Sequence, residues 1–188
     1  MDRTNRQAAL WATVVAVPLT LVMAVVAILV TRPDEPSAAA EPSPTAPRPQ
    51  STSPVEMAAP ALSERAAIVC RALLARLPAS VRELAQRPVT EGAEQNAAYG
   101  DPAITVSCGV PMPEIPLTDL VYPLSRVCWH SADLPYATEW TTVDREVPVR
   151  VTVPRQYDQP GQWTIAFSDT VVATVPSLKE IPSGCGGP

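Results

Sequence analysis

The sequence predicts an α+β fold: an antiparallel sheet of about four strands with helices on one face, carried behind a single N-terminal transmembrane helix and a proline-rich linker. Three observations predict it. The hydropathic period runs from helical to alternating and back to helical along residues 62–188. An uncharged apolar run, Leu10–Val30, precedes that region, and all four cysteines follow it. The chain therefore divides into a short cytoplasmic N-terminus (1–9), a membrane span serving as signal anchor (10–30), a disordered Pro/Ala/Ser-rich linker (31–61) and an extracytoplasmic domain (62–188).

At about 1.5 Å per residue the 21-residue run reaches roughly 30 Å, the thickness of a bilayer's hydrocarbon core. Pro18 inside it is tolerated in lipid, where neighbouring groups can re-satisfy the freed carbonyl. A cleaved signal peptide is the rival reading, since Arg3 and Arg6 form a basic leader and Ala38-Ala39-Ala40 resembles a cleavage site. The run exceeds the about 7 to 15 apolar residues of such a leader, and the alanines lie far past its end, so the uncleaved anchor is preferred and a secreted product is the alternative. Arg3 and Arg6 against Arg32 and Arg48 orient the span only weakly. Cysteine chemistry decides: Cys70, Cys108, Cys128 and Cys185 form no C-x-x-C pair and have no histidine at zinc spacing. They read as two disulfides in an oxidising compartment outside the cytoplasm.

Thr31–Pro60 contains eight prolines and no aromatic residue, too little apolar surface to fold. In a polyproline conformation, at about 3.1 Å per residue, it would reach up to about 90 Å. It reads as an inert spacer that lifts the domain off the lipid.

In the domain, Leu62, Ala66, Val69, Leu73 and Leu77 recur at helical spacing behind Ser63 as N-cap, and Pro78 ends the helix. Ser80-Val81-Arg82-Glu83 matches a capping box, predicting a second short helix over Ser80–Gln86 before Pro88. Val89–Ala98 shows no period and is taken as a loop. Ile104, Val106, Cys108 and Val110 alternate as in a half-buried strand. PMPEIP forbids regular pairing, Leu117–Tyr122 has no clear period, and Arg126–Ser131 is a strand carrying Cys128 and Trp129. Thr138–Val143 and Val147–Val153 form a hairpin about Asp144-Arg145-Glu146, with four valines on one face and Arg150 and Thr152 on the other. Trp163, Phe167, Val171 and Val175 then mark a closing helix. Four cysteines allow three pairings. Cys70 and Cys108 both face the core, and the glycine-rich tail around Cys185 needs an anchor, so Cys70–Cys108 and Cys128–Cys185 are predicted.

The helix bearing Cys70 and ending Leu77-Pro78, the run Tyr99-Gly100-Asp101-Pro102-Ala103-Ile104 leading to Cys108-Gly109-Val110, the Trp129 strand, Glu139-Trp140-Thr141-Thr142 and the valine strand ending Val153-Pro154 resemble the actinobacterial domain-of-unknown-function 3515 family. The resemblance spans most of Leu62–Pro176. It implies a membrane-anchored or secreted protein and assigns no activity, so no catalytic residue carries over.

A net charge of −5 removes the basic footprint that nucleic-acid binding requires. No nucleophile elbow, phosphate loop, dinucleotide fingerprint or metalloprotease motif occurs in the domain. His130 is the only histidine, so a catalytic triad would have to use it; beside Trp129 on a strand it reads as structural. Asp101, Asp144 and Glu146 sit at turns, where turn chemistry explains them. No catalytic residue, metal site or cofactor is assigned. Tryptophans either fill the core or, exposed in a row, stack on sugar rings; Trp129 and Trp140 are the candidate binding residues. The chain is expected to be a non-catalytic structural or interaction module of the bacterial cell envelope, with the membrane and an envelope protein or wall polymer as partners. A polymer- or small-ligand-binding domain and an extracytoplasmic hydrolase are the alternatives.

Overall fold

The structure, a computed structural model, describes Val22, Val25, residues 50–116 and residues 118–185. The chain divides into two units, Met1–Arg48 and Pro49–Pro188. No helix among the described residues is long and apolar enough to cross a membrane. Val22 and Val25 are helical, and the rest of the expected Leu10–Val30 span, like linker residues 31–49, lies outside the described residues. The remainder of the expected linker is fixed on the domain: Val55 bridges Val89 in parallel, and its amide donates to the Pro88 carbonyl at 2.8 Å.

Helix α1, Glu64–Leu74, begins where expected, with the Ser63 hydroxyl accepting from the Ala66 amide at 3.2 Å, and it buries Val69, Cys70 and Leu73. Eight strands follow instead of four: β1 Ser80–Val81, β2 Leu84–Arg87, β3 Asn96–Tyr99, β4 Ile104–Cys108, β5 Val121–Leu124, β6 Val127–Asp133, β7 Ala137–Thr142 and β8 Val149–Pro154. They form one antiparallel sheet in the order β1-β2-β3-β4-β8-β7-β6-β5. Helix α2, Gly161–Thr174, closes the fold and buries Trp163, Phe167 and Val171.

Among the described residues of the domain, the expected order of three helices and four strands is thus corrected to one helix, eight strands and one helix. The expected helix over Ser80–Gln86 is a β-hairpin. Arg82 adopts a φ of +52°, which ends any right-handed turn at that residue, and Val81 pairs across it with Leu84. Residues between Pro78 and Pro88 are also too few for a stable helix. The loop expected over Val89–Ala98 runs into β3, which is buried at every position and therefore shows no alternation. β5 carries Pro123, whose missing N–H is acceptable because β5 is the sheet's edge.

Both predicted disulfides are formed, Cys70–Cys108 and Cys128–Cys185. The first ties α1 to β4, and the second ties the tail to β6. Alternation places Ile104, Val106, Cys108, Val127, Trp129, Trp140, Val149, Val151 and Val153 on one sheet face, in a single core with Leu73, Phe167 and Val171 of the helices. Both helices lie on that face and touch each other. Among the described residues no helix lies on the opposite face.

Candidate functional site

The strand register determines what the helix-free face carries. Asn96 (β3) lies beside Ser107 (β4), Ser107 beside Arg150 (β8), Arg150 beside Thr141 (β7), Thr141 beside His130 (β6) and His130 beside Val121 (β5). One pleat along, Thr105, Thr152, Glu139 and Ala132 form a parallel row. Side chains two apart on a strand share a face, so these two rows make one sheet surface rich in hydroxyl, amide and charged groups. Arg150 Nη1 lies 3.4 Å from Glu139 Oε2, and Arg150 Nε donates to Thr141 Oγ1 at 3.3 Å. Both charged side chains are partly exposed. The pair leaves guanidinium N–H groups and carboxylate lone pairs able to hydrogen-bond a partner.

Both ends of this face are covered: at β3 Asn96 is buried and its Nδ2 donates to the Ala58 carbonyl at 2.9 Å, and the β5–β6 end lies under a crossing connection. The connection from β4 to β5 must pass three strands, and it brings Asp119 Oδ2 to 3.1 Å from His130 Nε2. Beneath it His130 is 7% exposed and Thr141 4%. On the same side Cys185 is bonded to Cys128, and a Cβ on Gly184 would come within 3.1 Å of Val121. His130 therefore has a carboxylate partner that the sequence did not indicate, Asp119, eleven residues away. Among the described residues no hydroxyl is hydrogen-bonded to the imidazole, so the pair has no nucleophile of the triad kind. The contact ties the crossing connection to β6.

A family model described as "Protein of unknown function (DUF3515)" matches residues 14–179. The chain belongs to the DUF3515 family. No curated protein and no solved structure matches it. The match takes in most of the apolar run as well as nearly all of the folded unit.

In this DUF3515 chain the candidate binding residues Trp129 and Trp140 both sit in the core, Trp129 fully buried and Trp140 8% exposed. Neither indole N–H has a hydrogen-bond partner among the described residues, whereas Trp163 Nε1 donates to the Asp158 carbonyl at 3.2 Å. Tyr122 meets Trp140 edge-on at 5.4 Å between centroids. A row of exposed tryptophans, the condition set for stacking on sugars, is thus not formed by these residues. Tyr99, also in the core, donates to the Pro78 carbonyl at 2.9 Å, and burial pushes its phenol up to about 12.

The three turn carboxylates are all engaged in ion pairs. Asp101 lies 3.7 Å from Arg87, and Asp144 lies 3.3 Å from Arg145. Glu146 accepts from Arg65 Nε at 2.9 Å and Nη2 at 2.8 Å, a bidentate pair linking the β7–β8 connection to α1. Among the described residues no group of three or more His, Cys, Asp and Glu side chains is placed to hold a metal ion.

The hydrogen bonds from Arg65 hold the Glu146 carboxyl below its ordinary value, and Glu146 holds the guanidinium above its own. A carboxyl lowered in the folded state adds stability that is present above the unfolded pKa and lost as pH falls through the folded one. Both groups are exposed, so that gain is small. Arg65→Met is expected to return the Glu146 midpoint toward 4.5, read by side-chain carboxyl NMR; an unmoved midpoint would show that the pair does not form in solution.

Proposed function

We propose that this protein is an extracytoplasmic interaction module, tethered by its apolar N-terminal segment, that contacts its partner through the helix-free face of its sheet. The observation that carries this reading is the register: Ser107, Thr105, Arg150, Thr152 and Glu139 stand side by side on three neighbouring strands, β4, β8 and β7, with no helix above them among the described residues. Rigid strands fix such groups more closely than loops would, so a partner meets a prearranged set of donors and acceptors. Two disulfides support the compartment, because such bonds persist where thiols are not kept reduced. The polar character of the face favours a hydrogen-bonding partner, an envelope protein or a wall polymer, over an apolar one.

The test replaces Glu139 and Arg150 together by alanine and compares the double variant with Arg126→Ala/Asp169→Ala, which removes an exposed pair elsewhere. Both proteins should fold. The first is expected to fail to restore whatever phenotype deletion of the gene produces, and the second to restore it. Equal restoration by both would exclude the face as the contact.

A hydrolase is the second reading, and the Asp119–His130 pair is the observation that favours it. His130→Gln keeps a hydrogen-bonding group on the strand and removes general-base chemistry. It is expected to preserve function. Loss as complete as deletion, in a protein with unchanged thermal stability, would promote the hydrolase.

A further inference from the structure

Away from the polar sheet face, a depression of about 360 Å³ lies between α1, the fixed segment before it and the turn that precedes β3. Ala59, Pro60, Ala61, Leu62 and Ala67 supply its apolar lining. Its rim carries two opposite full charges, Arg71 and Glu94. Both side chains are exposed, and neither makes an ion pair or a side-chain hydrogen bond with any described residue. Ala67 and Arg71 are one helical turn apart and so present themselves on the same side of α1.

The third polar group is Gln95, only 7% exposed. Its Nε2 donates to the Pro60 carbonyl at 3.2 Å, while Oε1 has no partner among the described residues. That oxygen is not among the sealed unpartnered atoms, so it keeps some contact with solvent, and Gln95 lines the depression. An accessible amide oxygen without a protein donor is free to accept from a ligand in place of water.

The surround is rigid. Gln95 and Asn96 amides both donate to the Gly92 carbonyl at 2.8 Å, and Asn96 Nδ2 donates to the Ala58 carbonyl at 2.9 Å. Gly92 has a φ of +62°, and a Cβ there would fall 2.6 Å from the Ala59 methyl, so only glycine lets the two segments close.

We infer that this depression binds a small zwitterion, one or two small aliphatic amino-acid residues with a free ammonium and a free carboxylate. Arg71 takes the carboxylate, Glu94 and Gln95 Oε1 take the ammonium, and the apolar lining admits a methyl-sized side chain. The volume is near the lower end of about 300–1,000 Å³ for ligand pockets, which suits a small ligand. The site shares no residue with the polar sheet face, so the two assignments stand or fall separately.

The test titrates the full chain, purified in detergent, with L-alanine and with L-alanyl-L-alanine, following the backbone amides of Ala67, Arg71 and Gln95 by NMR. Saturable shifts with at least one of the two are expected at millimolar concentration, and the tighter of them identifies the ligand as a free amino acid or a dipeptide. N-acetyl-alanine and alanine amide each lack one charge and should bind at least about tenfold more weakly, as should Arg71→Gln and Glu94→Gln with the parent ligand. Both substituted side chains are exposed, so the melting temperature should not move. Absence of saturation up to about 100 mM would overturn the inference, because such affinity is worth under about 1.5 kcal/mol. So would equal binding by the blocked compounds or by the variants.

Discussion

Replacing Cys70 and Cys108 together by alanine is expected to lower the unfolding free energy by about 4 kcal/mol, the chain-entropy worth of a closed loop of 38 residues. For a single domain this is a large part of a total of about 5–15 kcal/mol, and it should lower the melting temperature by about 10–20 °C. The bridge is the covalent link between α1 and the sheet, and both cysteines are sealed in the core, Cys70 at 0% exposure. The effect acts on the unfolded chain, so the dependence of stability on urea should steepen as the released chain exposes more surface. Equilibrium urea unfolding of the variant and the parent measures both. A loss under about 1 kcal/mol would mean that helix packing alone sets the position of α1.

The sequence showed the long elements and hid the short ones, for reasons that particular residues make plain. Val147 to Val153 alternates because one face of β8 meets the helices and the other carries Arg150 and Thr152, so period and orientation were both legible. β3 reads Asn96-Ala97-Ala98-Tyr99; with both faces covered, nothing selects for alternation, and the strand was invisible to a period-two search. The Ser80–Glu83 capping pattern is satisfied equally by a helix start and by a tight turn, and the hairpin wins because Val81 and Leu84 are both buried beneath it.

The same division holds for the site. Arg150 and Thr152 were legible as outward residues. Their neighbours Ser107 and Thr105 became so only once β4 was known to pair with β8, a contact between strands more than forty residues apart. Asp119 could not be assigned to His130 because the crossing connection that joins them has no period at all. Disulfide pairing was legible because it needs only which elements face the core. Whether Trp129 and Trp140 face in or out was not, since aromatic residues serve both cores and binding faces.

Arg145→Met is expected to destabilise the protein by about 3–5 kcal/mol, the cost of breaking a buried ion pair from one side. Arg145 and Asp144 are both nearly sealed, at 5% and 12% side-chain exposure. Nε and Oδ1 lie 3.3 Å apart but are not aligned for a hydrogen bond with each other. The guanidinium is held instead by its other nitrogens: Nη1 donates to Ser177 Oγ at 2.9 Å and Nη2 to the Arg126 carbonyl. One side chain thereby joins the β7–β8 connection, the β5–β6 turn and the segment after α2. Backbone bonds from Glu146 to Pro176 and from Leu178 to Asp144, each at about 2.8–2.9 Å, run alongside it. Methionine fills much of the same volume, so the expected loss comes from Asp144, left charged and unpaired, and from acceptors left without a donor. Neutralising the survivor should relieve part of it: Asp144→Asn/Arg145→Met is expected to be more stable than Arg145→Met alone. Urea unfolding of the two variants decides the point. If the double variant is the weaker, the guanidinium works as a hydrogen-bond hub for three chain segments, and its charge is incidental to the fold.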